Sequence, residues 1–362
     1  MRTNQSSSEL QKAAEQGDAQ AQYQLAMSLT AKSVVQNINL VAEWFRKSAE
    51  QGHAPAQYTL GQWYAAGTGV RQNPRQAVAW YKKAAEQGHA QSQNSLGQCY
   101  AYGIGVAKDN TEAVKWFQKA AKQGLADAQF RLGWRYEHGE GIGQDVGQAF
   151  EWYTLSALKG NPNAQNSLGT FYEKGISVDK DFSKAVAWYR KSAENAELGS
   201  ADGQHNLARC YRDGMGVNKN AAKAVEWFQK AAEQGKASAQ YNLGWHHEHG
   251  VGVARNGAKA FEWYSKAARQ GHTRSFYALG ICYNQGIGVS KDDRKAFEWF
   301  KKSAENGFAD GQYVLGRCYE TGQGTPQNVE EAVEWYKKAA EQNNVQAIGK
   351  VAQLEANEKP TE

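Results

Sequence analysis

Residues Gln93 to Gly124, QNSLGQCYAYGIGVAKDNTEAVKWFQKAAKQG, decide the fold, because most of the chain consists of copies of them. Leu96-Gly97 recurs as Leu60-Gly61, Leu132-Gly133, Leu168-Gly169, Leu243-Gly244, Leu279-Gly280 and Leu315-Gly316. Trp116 recurs as Trp44, Trp80, Trp152, Trp188, Trp227, Trp263, Trp299 and Trp335, at a step of 36 residues with one step of 39. A fixed period of this size marks an array of stacked units.

Each unit reads as two helices. In the first half, Ser92, Leu96, Gly97 and Tyr100 fall on one face of a 3.6-residue period. The Ser92 position holds only Ala, Ser or Gly in all nine copies, which lets a neighbouring backbone come close. Gly97 costs its helix about 1 kcal/mol relative to Ala, so its recurrence points to close approach. In the second half, Ala113, Trp116, Phe117, Ala120 and Ala121 form the apolar face, and Tyr or Phe follows the Trp in every copy. Large aromatics interleaved with Ala suit helix-on-helix packing. Gly103-Ile104-Gly105 stops the first helix. An Asp or Asn stands seven residues before each motif Trp, at Asn37, Asn73, Asp109, Asp145, Asp181, Asn220, Asn256, Asp292 and Asn328, and is the expected N-cap.

These residues resemble the Sel1-like repeat, a relative of the tetratricopeptide repeat, over roughly residues 8 to 356. The resemblance implies an all-α, right-handed α-solenoid superhelix of about nine helix-turn-helix repeats with atypical terminal helices. It implies first helices on the concave side, second helices on the convex side, and adaptor or scaffold work through protein recognition. The expected organisation is a short disordered N-terminus at 1–7, one solenoid at 8–356 with a possible joint at 194–200, and a disordered tail at 357–362.

Composition narrows the class. Mean hydropathy is −0.75 and apolar content 41%, and no run approaches the ~18 apolar residues of a membrane helix. No membrane insertion is expected. The N-terminal MRTNQSSSELQKAAEQG lacks the apolar core of a signal peptide, so cytoplasmic residence is the default expectation. The four cysteines, Cys99, Cys210, Cys282 and Cys318, all stand three residues after the motif Leu or its equivalent, one per unit. They read as small apolar packing residues that remain free thiols. Net charge is +5, with Lys and Arg interleaved with acids, which is a solvated helical surface rather than a nucleic-acid stripe.

Some units deviate. Residues 8–17 read as a lone second helix capped by Ser8, and the first full unit has Lys32-Ser33-Val34 where Gly-x-Gly stands elsewhere. Ser177 replaces the second loop glycine in the fifth unit, and the three extra residues fall between Glu194 and Ser200. Val345 to Ala356 resembles a final first helix.

No catalytic motif, phosphate loop or zinc-spaced cysteine pair is present, so the expectation is no enzyme, no cofactor and no metal. His246 and His249 fall on one helical face and admit a metal reading, but His247 merely replaces the motif Tyr and Trp134-Arg135-Tyr136-Glu137-His138 repeats the pattern.

Recognition positions are free to vary between copies; packing positions are not. On the first helix the varying stripe lies at −1, +2, +3 and +6 from the Leu, and its candidate partner-binding residues are Trp63, Tyr102, Trp134, Arg135, His138, Phe171, Arg209, Trp245, His246, His249 and Arg317. Trp and Arg are enriched at hot spots; the alternative is that stripe residues pack between neighbouring first helices. A Gln three before the Leu, at Gln22, Gln57, Gln93, Gln129, Gln165, Gln204, Gln240 and Gln312 but replaced by Phe276, reads as a structural amide to an adjacent unit or as a ladder for a partner's backbone. The expected function is a non-catalytic, monomeric scaffold that binds a protein or peptide in the groove lined by first helices. An immunity protein sealing a toxin is the alternative within that class, and a hydrolase on cell-wall or β-lactam substrates is the alternative outside it.

Overall fold

The structure, a computed structural model, describes residues 7–30, 38–195 and 199–357. The chain is an all-α solenoid of twenty helices, with no strand among the described residues. Two compact bodies divide it after Lys180. The N-terminal body holds α1 (Ser7–Glu15), α2 (Ala19–Thr30), α3 (Ile38–Glu50), α4 (Ala54–Ala66), α5 (Pro74–Glu86), α6 (Ala90–Tyr102), α7 (Asn110–Lys122), α8 (Ala126–His138), α9 (Val146–Leu158) and α10 (Pro162–Lys174). The C-terminal body holds α11 (Phe182–Ala193), α12 (Ala201–Asp213), α13 (Ala221–Glu233), α14 (Ala237–His249), α15 (Gly257–Arg269), α16 (Thr273–Gln285), α17 (Asp293–Glu305), α18 (Ala309–Thr321), α19 (Val329–Glu341) and α20 (Val345–Asn357). Within each body a helix packs chiefly against the helices just before and after it. Ser8, expected to cap α1, lies inside the helix, which already starts at Ser7. Asn37, Lys32-Ser33-Val34 and part of the Glu194–Ser200 connection (196–198) lie outside the described residues. So do residues 1–6 and 358–362 of the expected terminal segments.

The capping expectation holds at the eight described second helices that carry it. Asn73, Asp109, Asp145, Asp181, Asn220, Asn256, Asp292 and Asn328 each accept the N–H of the residue three further on, as Asp109 does from Glu112 at 2.9 Å. Each satisfies one of the donors that a helix start leaves unpaired.

The large aromatic that fills the interior of each repeat is the one after the Trp, not the Trp itself. Phe45, Phe117, Tyr153, Phe228, Tyr264 and Tyr336 are almost completely buried. The Trp lies at the outer edge, and a Lys three residues on sits over its ring: Lys119 is 4.0 Å from the Trp116 centroid and Lys266 is 4.0 Å from that of Trp263. This cation–π cap recurs in every repeat except the fourth, where Leu155 follows Trp152 at that spacing. Where the buried aromatic is Tyr, a Glu sixteen residues earlier commonly accepts a hydrogen bond from its hydroxyl: Tyr153 to Glu137, Tyr264 to Glu248, Tyr336 to Glu320. Burial, then the carboxylate, pushes these phenols well above the ordinary range.

The recurrent Gln is a structural amide. Gln93 donates to the Ala85 carbonyl at the end of the preceding second helix (3.0 Å), and its oxygen accepts from Gln123 at the end of its own second helix (2.7 Å). One amide thus ties three consecutive helices. The same pair of bonds is made by Gln22, Gln57, Gln204, Gln240 and Gln312. In the eighth repeat both members change together, to Phe276 and Asn306, and Asn306 bonds Lys302 instead. In the fourth repeat Lys159 replaces the terminal Gln; it reaches the Gly124 carbonyl but leaves the buried Gln129 Oε1 without a partner. Lys159→Gln should complete the relay and add about 1 kcal/mol, read as a higher urea midpoint; an unchanged or lower midpoint would count against the relay's contribution.

Candidate functional site

The varying stripe of the first helices separates into a buried row and an open face. The +3 row is buried in eight of the nine repeats, at Trp63, Cys99, Arg135, Phe171, Cys210, His246, Cys282 and Cys318; only Ser28 of the first repeat is exposed. Four expected contact residues, Trp63, Arg135, Phe171 and His246, are therefore corrected to core positions. Helix geometry gives the reason. At about 100° per residue, +3 lies only about 60° from the motif Leu, whereas −1, +2 and +6 lie about 100–160° away. The +3 side chains meet the preceding second helix: Trp63 stands edge-on to Phe45 at 5.0 Å, Phe171 edge-on to Tyr153 at 5.6 Å, and His246 lies 5.6 Å from Phe228. The cysteines are free and buried, and burial pushes the Cys99 thiol up to about 11 and the Cys282 thiol up to about 12. That keeps them protonated and unreactive at neutral pH.

The remaining expected residues lie on the open face. Tyr102 is 62% exposed. His138, His249 and Arg317 are exposed, and Trp134, Arg209 and Trp245 are half-buried. Two of them repeat one device. His138 stacks on Trp134 at 4.2 Å and bonds its carbonyl; His249 stacks on Trp245 at 4.5 Å and does the same. His249 and His246 consequently diverge. His246 turns inward, its Nδ1 2.7 Å from the Val251 carbonyl, and burial lowers its pKa. No group of three His, Cys, Asp or Glu side chains among the described residues is placed to hold a metal.

In the N-terminal body the face opens into a pocket of about 320 Å³ between α6 and α8, lined by Tyr102, Phe130, Arg131, Trp134, Arg135 and Glu140. Arg135 supports it from below. It pairs with Glu140, donates to Asn110 at 3.3 Å, and lies against the Trp134 ring at 5.1 Å. The result is an apolar wall with polar groups at its rim, able to take a protruding side chain. Arg131 stands on the −1 row of the varying stripe, whereas Phe130 and Glu140 escaped the sequence reading. Glu140 had a signal: it is the sole acid between the paired loop glycines, where other repeats have residues such as Ile104, Met215, Val251 and Ile287.

Comparison with known proteins agrees with this anatomy. The Sel1 repeat model matches residues 10–18, 19–53, 54–89, 90–125, 126–161, 162–196, 201–236, 237–272, 277–308 and 309–344. The crystal structure of c5321, a protective antigen present in uropathogenic Escherichia coli strains and displaying an SLR fold, is 35% identical, covers 97% of this chain and 82% of its own, and superposes with a TM-score of 0.68. A Sel1 repeat protein from Oxalobacter formigenes is 33% identical over 86% of this chain and 89% of its own, with a TM-score of 0.60. No curated protein sequence matches the chain. Sel1 repeat proteins are generally protein-interaction scaffolds and typically non-catalytic. With the period, the Leu-Gly approach, the caps and the family match all falling on the same residues, the chain belongs to the Sel1 repeat family.

Proposed function

We propose that this protein is a non-catalytic scaffold that binds a protein or peptide partner along the open face of its first helices. One observation carries the reading. Buried Leu, Ala and Gln positions repeat from copy to copy, whereas −1, +2 and +6 change at almost every repeat and carry the half-exposed Trp and Arg side chains. Rows that vary and also reach the surface, with aromatic and guanidinium anchors on them, are what recognition by a repeat array requires. In the N-terminal body the anchors are Tyr102, Phe130 and Trp134, with Arg131 at the rim.

A photo-crosslinker placed at Tyr102 should capture the partner, and one placed at Lys122 on the second-helix face should not. With that partner purified, the Tyr102→Ala, Trp134→Ala double variant should bind at least about tenfold more weakly, a loss of ~1.4 kcal/mol. Its melting temperature should move little, since neither side chain is fully buried. Capture through Lys122 together with unchanged binding by the double variant would transfer recognition to the second-helix face, where Leu155 and Leu158 are 45% and 70% exposed.

A further inference from the structure

We propose that the pocket between α6 and α8 takes the C-terminal residue of a protein partner, with its apolar side chain against Phe130 and Trp134 and its carboxylate on Arg131. The inference rests on the reading of the first-helix face as the recognition surface, and adds the chemistry of what that face recognises.

Charge gives the first argument. The pocket wall holds three cations, Lys108, Arg131 and Arg135, against one acid, Glu140. Glu140 is engaged by Arg135, which also donates to Asn110 at 3.3 Å. Asp127, one turn before Arg131 on α8, accepts from Asn161 at 2.8 Å. Arg131 itself has no hydrogen bond or ion pair among the described residues, and its Nε is buried with no acceptor. Lys108, on the loop after α6, is exposed and likewise unpaired among them. A half-buried guanidinium without an acceptor is matched by a carboxylate, which takes two of its N–H groups in one plane.

The aromatic wall gives the second argument. Phe130 rests 5.7 Å from the buried Tyr153 ring. Trp134 is fixed by the stacked His138 at 4.2 Å and by the Arg135 guanidinium at 5.1 Å. The wall is therefore in place before a ligand arrives, which lowers the cost of ordering it on binding. At about 320 Å³ the pocket has room for one large side chain.

Spacing favours a chain end over an internal acid. Arg131 and Trp134 are three apart on α8, neighbours on the helix surface with Cβ atoms about 5–6 Å apart. Cation and ring must therefore be met by groups that lie close together. In an extended segment an acid next to an apolar residue points to the opposite side, so the two would not enter one pocket together. A C-terminal residue carries its carboxylate on the same Cα as its side chain, and that carboxylate is ionised at neutral pH.

The test uses the full chain and isothermal titration calorimetry. The probe is the peptide acetyl-Gly-Ser-Gly-Ser-Gly-Phe with a free C-terminus, and the controls are the same peptide as its C-terminal amide and an amidated peptide ending in Asp-Phe. The free acid should bind at least about tenfold more tightly than either amide. Arg131→Gln should bring the free acid down to the level of its amide, Trp134→Ala should weaken both, and Lys122→Gln, on the second-helix face, should change neither. The comparison of acid with amide needs no variant, and a thermal melt shows that Arg131→Gln is folded. Equal binding of acid and amide, no binding of either, tighter binding of the Asp-Phe amide, or a preference for the acid that survives Arg131→Gln would each overturn the proposal. If that happens while the Tyr102, Trp134 variant still loses its native partner, the end-group assignment fails and the face assignment stands.

Discussion

Phe117→Ala is expected to be among the most damaging single changes in the chain, costing about 3–5 kcal/mol. Phe117 is 1% exposed. Its ring lies where a Cβ on Gly97 would be, only 2.7 Å from that position, so the first helix sits directly on it. Deleting the ring removes its burial and leaves a cavity that the flanking helices cannot close without moving. The neighbouring Trp offers the contrast. Trp263 is half-buried under Lys266, so Trp263→Ala should cost roughly half as much by lost burial alone. Equilibrium urea unfolding of the two variants beside the parent measures both. A larger loss from Trp263→Ala would show that the outer row holds the repeats together. Each repeat is stabilised by its neighbours, so the loss should also appear as faster hydrogen exchange in the adjacent helices.

Gly105→Ala should be nearly as costly, roughly 2–5 kcal/mol, from left-handed backbone together with overpacking. Gly105 has φ +71°, and a Cβ there would fall 2.3 Å from the Pro74 carbonyl oxygen at the start of the preceding second helix. The clash is with backbone, so no rotamer relieves it. Gly103 is the control: its φ is +69°, but an added Cβ would meet nothing closer than 3.4 Å. Gly103→Ala should therefore cost only the conformational part, about 1–2 kcal/mol. Equal losses at the two sites would mean that close approach between repeats contributes nothing. Ser177, which stands at the Gly105 position of the fifth repeat with φ +57°, already bears the conformational strain.

The architecture was legible because each of its causes is local and repeated. The Leu-Gly pair, the capping Asp or Asn and the aromatic after the Trp each appear often enough that chance is excluded. The Gln row was legible as a regularity, but its second bond was not, since Gln93 and Gln123 meet only once the helices fold back. The candidate face was half legible. Variation between copies selected −1, +2 and +6, which reach the surface except at the buried Ala278, yet it also selected +3. A position can vary freely while buried if the cavity it fills differs from repeat to repeat, and Arg135 and His246 show that even polar side chains serve. Cysteine at four of these positions was the available warning. Phe130 was missed for another reason: it joins a site only through the side-by-side placement of different first helices.

The buried +3 row works as a set of shims. Side chains as unlike as Trp63 and Cys99 are inserted at the same place, between a first helix and the second helix before it. Interiors are close-packed, so a change of volume there must be taken up by the spacing or tilt of the helices that bound it. Each shim thereby sets how far apart, and at what angle, the neighbouring open-face residues are presented. The surface offered to a partner can be re-aimed, repeat by repeat, by substitutions that the partner never touches.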